Sequence, residues 1–511
     1  MTVPWKQKQA ELKTQMKQIE RHLVRQREFV APVKRLPSEV LSEIFMIQVD
    51  CGDSPWTLLR VCRLWKVVAS STSHIWRHIQ IAERREQFDS GTSFQDCFTN
   101  AHFEKALSRT GAAPLSISIS ISIATLRSWA IDLDLAADPN RLFALFATLA
   151  RVLDRCDTLV LKQTRQPLSA EHKKLFTTLE FPISSSLRSL HMGRGWEVIA
   201  QKLLVACNHE STALRELSVD TDDRVLVQSL SDYQILLKRL TSFSATGPQV
   251  PKNVFAAMQC LSYFSQTNND LALPQASSVT ELVQEVQFIS VTFLDVGARQ
   301  FTNLRKLVLR RCKIPQQPGA IKAPVLDTLI CEGQSWLPVL VFDCPLLLHL
   351  ELGGGAHTKA KVKEEVNQLL DLDGQFVHLK ALKINLVMSD AVLIAILKKL
   401  AALEHLSITF RDYAKHATPP GDTFFNSLLI SNSQRLGFLQ NLHTLILQSE
   451  YSISKLDGLL PGLRTRMQRI VCSRQRAAPL RSATLLVIRQ ECWNGPKTVE
   501  NEEFVVHKED Q

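Results

Sequence analysis

Hydrophobic and polar positions follow three rhythms along this chain, and each predicts a different kind of element. Trp5, Leu12, Met16, Ile19, Leu23 and Val30 are spaced by seven, four, three, four and seven residues, a heptad seam that predicts a basic helix over residues 1–33. With so few heptads, residues 5–30 are open either to pairing with a second copy or to folding back along the chain. From residue 36 the period becomes that of a packed helix: Val40, Leu41, Ile44 and Phe45 form a stripe behind Pro37, whose fixed φ suits a first helical turn, and Glu39 complements the N-terminal dipole. Asp50 to Pro55 have the composition of a helix stop. Leu58, Val61, Cys62, Trp65, Val68 and Ala69 then share a face, and Ile75, Trp76 and Ile79 begin a third apolar element. The expected helices run over 37–49 and 56–70.

The third rhythm is that of strands. Leu115 to Ile123 alternate Ser with Leu or Ile without a break, so one face should be buried and the other open to solvent. Beyond it L-x-x-L-x-L, or a near variant, returns at Leu187/Leu190/Met192, Leu214/Leu217/Val219, Leu304/Leu307/Leu309, Leu326/Leu329/Cys331, Leu347/Leu350/Leu352, Leu379/Leu382/Ile384, Leu403/Leu406/Ile408 and Leu442/Leu445/Leu447. Weaker copies stand at Cys156/Leu159/Leu161, Leu237/Leu240 and Leu261/Phe264. The intervals fall mostly in the leucine-rich-repeat range, with two longer ones. No such unit can bury its apolar face alone, so the expectation is an irregular solenoid of parallel strands with outer helical returns such as Ala391 to Leu400. An α/β domain whose strands merely happen to be leucine-rich is the competing reading.

The ordered words of residues 36–76 say more than their periodicity. Leu36-Pro37-Ser38-Glu39-Val40-Leu41, then Val61-Cys62-Arg63-Leu64-Trp65, then Ile75-Trp76, resemble an F-box. The run-in Arg27 to Arg35 and the stretch Ala106 to Leu115 are similar to those of the F-box proteins abundant in mushroom-forming fungi. Together these parts cover only a small share of the chain; the rest is read by pattern. The resemblance implies a fold of α/β class: a small three-helix F-box followed by an irregular leucine-rich-repeat-like solenoid with parallel strands. It also implies docking on a Skp-type adaptor and, through it, a cullin. Leu36, Pro37, Val40, Leu41, Ile44, Leu59, Val61 and Trp65 are the expected adaptor contacts, with Phe45, Val68, Ile75 and Trp76 internal. The organisation expected is a basic heptad helix (1–33), an F-box (34–81), a linker (82–103), a repeat domain (104–490) and a charged tail (491–511).

Bulk properties narrow the classes. At 511 residues, 45% hydrophobic and 22% charged, the chain can build a small domain and a large one. Eleven cysteines without a C-x-x-C word suggest a reducing, intracellular setting, either cytoplasm or nucleus. No apolar run approaches a membrane span and no signal-peptide core is expected. Of the net charge of +10, +6 lies in residues 1–35; the basic residues are not interleaved with aromatics, so nucleic-acid binding is not expected.

No P-loop, nucleophile elbow or H-E-x-x-H occurs. Gly353-Gly354-Gly355 reads as a turn at a repeat corner, and His349, His405 and His443 are spread over separate copies rather than gathered as ligands. No cofactor, metal or catalytic group is expected. Strand alternation puts Lys306, Val308, Arg310, Thr328, Ile330, Glu332, His349, Glu351, Ala381, Lys383, His405, Ser407, Thr444 and Gln448 on the concave side. Of these, Lys306, Arg310, Glu332, His349, Glu351, Lys383 and His405 are the candidate contacts for an unknown target protein. The function expected is a non-enzymatic substrate receptor of a cullin-based ubiquitin ligase; the alternative is a repeat scaffold or dimerising interaction protein that binds the adaptor without promoting ubiquitin transfer.

Overall fold

The computed structural model describes residues 3–30, 36–51, 53–82, 100–120, 139–162, 168–221, 223–247, 250–267, 270–272, 282–295, 299–312, 321–333, 342–353, 376–385, 390–411, 421–429, 439–474, 480, 482–490 and 497–504. It divides into two compact units, Met1–Lys202 with Ser211–Ala213, and Leu203–Glu210 with Leu214–Gln511.

The first unit opens with helix α1 (Val3–Val30), followed by α2 (Ser38–Asp50), α3 (Pro55–Leu58) and α4 (Arg63–Ser71). The expected helix over 56–70 is therefore broken, with Cys62 extended at φ −160° between its halves. On one straight helix Trp56 and Trp65 would stand half a turn out of phase. The break lets both reach apolar partners: Trp56 packs edge-on to Trp76 at 4.9 Å and Trp65 against Phe45 at 4.8 Å. Pro55 and the Ser54 side chain, which accepts from Trp56 N–H, fix the start of α3. The expected third helix is corrected too. Ser73–Trp76 make a single 3₁₀ turn, and His78–Ala82 then form a strand, because Ile79 and Ile81 continue the inward row of Ile117 and Ile119 with a period of two. The Trp76 indole donates to Ala69 O at 2.7 Å, and the Arg109 guanidinium lies over both Trp56 and Trp76. The helix Asn100–Arg109 begins inside the stretch expected to be linker.

Four parallel strands follow in chain order in this unit: His78–Ala82, Leu115–Ser120, Cys156–Leu161 and Ser189–Met192. Ile117 and Ile119 are fully buried and pair with Leu159 and Leu161, which pair in turn with Leu190 and Met192. Ser116 and Ser118 face outward, as their alternation predicts.

The second unit is an α/β solenoid. Glu216–Asp220, Ser242–Thr246, Tyr263–Thr267, Glu285–Ile289, Lys306–Arg310, Thr328–Glu332, His349–Gly353, Ala381–Asn385, His405–Arg411, Thr444–Ser452 and Ser482–Gln490 each pair in parallel with the next. The repeat's leucines line up across this ladder: Leu307, Leu329, Leu350, Leu382, Leu406 and Leu445 are in register and 5% exposed or less. Neighbouring coils thus bury what each would expose alone.

Helices stand in several described returns, among them Arg224–Ser229, Lys252–Ala257, Asp390–Lys398 and Asp422–Leu428. The carboxylate of Asp390 joins the last two of these helices, accepting from Gly421 N–H at 2.9 Å and Phe424 N–H at 3.1 Å. Between Lys252–Ala257 and Asp390–Lys398 the described part of the returns holds three short parallel strands, Arg299–Gln300, Ile321–Lys322 and Phe342–Asp343. Phe301, Ala323 and Cys344, each the next residue after one of these strands, are buried.

Two further expectations are corrected. Val308, placed on the open row, is only 4% exposed because Gln287 and Ile330 flank it in register. Part of the charged tail, Lys497–Phe504, is an antiparallel strand closing the last edge of the sheet; a charged edge strand resists further pairing.

Candidate protein-docking surfaces

The first surface belongs to the helices of residues 36–76. α2 turns Leu41, Phe45 and Val49 inward, a stripe repeating every four residues. The opposite side of the same helix carries Val40, Ile44 and Ile47, 42%, 40% and 64% exposed. α4 divides alike: Val68 and Ala69 are buried, whereas Leu64 and Val67 are exposed together with Val61 just before the helix. Six large apolar side chains within 28 residues are thus held in water on helices that already have a filled core, the kind of surface that marks an interaction site.

The expected adaptor residues divide between these sides. Val40, Ile44 and Val61 are exposed, Pro37 is an exposed N-cap of α2, and Leu36 and Leu59 are half-buried. Trp65 is half-buried against Phe45. Leu41 is fully buried and belongs to the core: it lies one residue from Val40, about 100° around the helix, which turns it to the inner face. Ile47, Leu64 and Val67 were missing from the expectation. The seven-residue step from Val40 to Ile47 was the available signal.

The second surface, expected to be concave, is the outward face of the parallel sheet, where alternation brings the outward residues into rows. One row reads Glu285, Lys306, Thr328, His349, Ala381, His405 and Thr444 across successive strands. The next reads Gln287, Val308, Ile330, Glu351, Lys383, Ser407 and Ile446. The expected target-binding charges are paired sideways rather than offered singly. Lys306 Nζ meets Glu285 Oε1 at 2.6 Å, Arg310 Nε meets Glu332 Oε2 at 3.3 Å, and Lys383 Nζ meets Glu351 Oε1 at 2.6 Å. Each pair joins residues in register on adjacent strands, although Arg310 Nε makes no hydrogen bond among the described residues. These half-exposed pairs add little stability. Lys380 likewise holds the Glu404 carboxyl below the usual carboxylate range by a hydrogen bond, with its charge and those of His443 and His405 adding to the effect.

Between the ion pairs lies a shallow, mostly apolar groove of about 270 Å³. Ala381 lines it, in register between His349 and His405, and Ile330, Lys383 and Ile446 contribute to its lining. It gathers His349, Glu351, Lys383 and His405 of the expected contacts; Lys306, Arg310 and Glu332 do not line it.

Among the described residues no group of three or more His, Cys, Asp or Glu could hold a metal ion, and no helix is long and apolar enough to cross a membrane. The buried thiols are inert: burial pushes Cys156, Cys207 and Cys344 up to about 12 and Cys312 to about 11.

No family model and no curated protein matches this chain. Among solved structures, the crystal structure of the TLR13–ssRNA13 complex is similar at 13% identity, with a TM-score of 0.35, over 59% of this chain and 40% of that one. The chain therefore spans well under two thirds of that protein. The class follows from the fold itself, a leucine-rich-repeat-like solenoid of parallel strands whose outward sheet face carries paired charges beside a mostly apolar groove.

Proposed function

We propose that this chain is a substrate receptor of a cullin-based ubiquitin ligase. In this reading the segment 36–76 docks as an F-box on a Skp-type adaptor, and the concave face of the solenoid holds a target protein. The observation that carries the reading is the exposed apolar set Val40, Ile44, Ile47, Val61, Leu64 and Val67 on helices with a complete core of their own, within the words that resemble an F-box. The target site is the groove at Ala381, whose apolar floor suits one large apolar side chain of the target, with polar walls to orient its neighbours. The protein forms no bond itself. Its contribution is to raise the effective concentration of the target beside the charged conjugating enzyme.

The test is co-purification with adaptor and cullin. Burying Val, Leu or Ile typically contributes about 1.5–3 kcal/mol each, so Ile44→Asp with Val67→Asp should weaken adaptor binding by more than about a hundredfold. Because both positions are exposed, thermal unfolding should move little. Undiminished adaptor binding by this variant would remove the F-box reading; adaptor capture without cullin would favour the scaffold alternative.

A further inference from the structure

Every described side chain of α1, Lys8 to His22, is exposed. Leu12, Met16 and Ile19 form an apolar seam on it and are 55%, 62% and 60% exposed. A helix draws most of its stability from packing an apolar face, and among the described residues none covers this one. In heptad terms Leu12 and Ile19 take d positions and Met16 an a position, with Lys13 and Glu20 at e, and Lys8, Gln15 and His22 at g.

We propose that α1 pairs with α1 of a second copy of this chain in an antiparallel coiled coil, with Met16 opposite Ile19 of the other copy. The flanking charges select both the occupant and the direction. In a parallel pair each g residue meets the e residue five positions on in the other helix. That sets Lys8 against Lys13 twice and forms no ion pair among the described residues. In the antiparallel pair e meets e, so Lys13 meets Glu20 twice, and Lys8 is released from Lys13. The seam then covers Leu12, Met16 and Ile19 on both copies. Because the two helices run in opposite directions, the rest of each chain departs from opposite ends of the coil, about 40 Å apart for 28 residues.

The test is sedimentation equilibrium on the full chain at micromolar concentration. The expected species is a dimer of twice 57.6 kDa, converted to monomer by Leu12→Asp with Ile19→Asp while thermal unfolding of the rest is retained. Lys13→Glu should raise the dimer dissociation constant by roughly five- to tenfold, since two exposed ion pairs become two like-charge contacts. Adding Glu20→Lys to it should restore the original value. A monomer at every concentration would overturn the proposal and leave the seam to a different chain. Tighter association of Lys13→Glu would also overturn it, because only the parallel pair gains from removing Lys13 beside Lys8.

Discussion

Gln266 is the residue that fits its position least. It stands in the inward row between Ala245 and Phe288, is fully buried, and neither its amide nitrogen nor its carbonyl oxygen has a hydrogen-bond partner among the described residues. A buried polar group left unpaired costs about 1–3 kcal/mol. Gln266→Leu, close in volume, should therefore stabilise the fold by a similar amount, read as a higher urea midpoint at constant slope. A lower midpoint would mean that the amide makes bonds its neighbours do not supply. Arg474 is the opposite case: equally buried, it donates from Nη1 to Leu439 O at 3.0 Å and from Nε to Leu428 O at 3.3 Å. Burial lowers its pKa to about 10, which still leaves it charged at neutral pH.

At the scale of elements, three successive coils share one kind of corner. Ser290, Arg311 and Gly333 each follow the end of a strand with positive φ, at 54°, 54° and 124°. Each donates its N–H to the next coil, to Arg310 O, Glu332 O and Gly353 O in turn. The tolerance at this corner is not uniform. A Cβ at Gly333 would come within 2.6 Å of Arg311 N and Cα, backbone atoms that cannot swing aside. Gly333→Ala should accordingly cost more than about 2 kcal/mol, combining the left-handed backbone with the clash. At Gly462, inside the helix Ile453–Arg474, an added methyl group would meet nothing within 4 Å; Gly462→Ala should stabilise by about 0.5–1 kcal/mol. Chemical denaturation of both variants checks the contrast, and similar values for the two would refute it.

At the scale of the whole molecule, the mostly apolar groove at Ala381 lies beside the Glu351–Lys383 ion pair, and there the proposed target can be excluded without disturbing the core. Ala381 sits on an exposed face between two histidines, so Ala381→Trp fills the groove while the inward Leu382 and Ile384 stay in place. Target capture should fall at least about tenfold, the loss of one well-packed contact. Adaptor binding and the unfolding temperature should be unchanged. Replacing Arg310 and Glu351 instead should matter less, because each is already half-committed to a neighbour on the sheet. An unaltered target set in Ala381→Trp would move recognition away from the concave groove.

Local periodicity in the sequence determined the parallel solenoid, the inward leucines and the outward rows, because a strand's two faces are set by alternation alone and stacking turns that alternation into ladders. It missed the coils that depart from the full leucine pattern: Val283, Val286 and Phe288 in one, and Leu480, Ala483 and Leu485, with alanine at the middle position, in another, all buried in the same way. The rest was decided in three dimensions. Helical spacing marks Val40, Leu41, Ile44 and Phe45 as apolar without saying which faces water; that depended on where Trp65 and Trp76 came to pack. The groove at Ala381 and the sideways pairing of Glu351 with Lys383 join residues 30 or so apart in sequence. Only the register between coils, set by return segments of unequal length, brings them together.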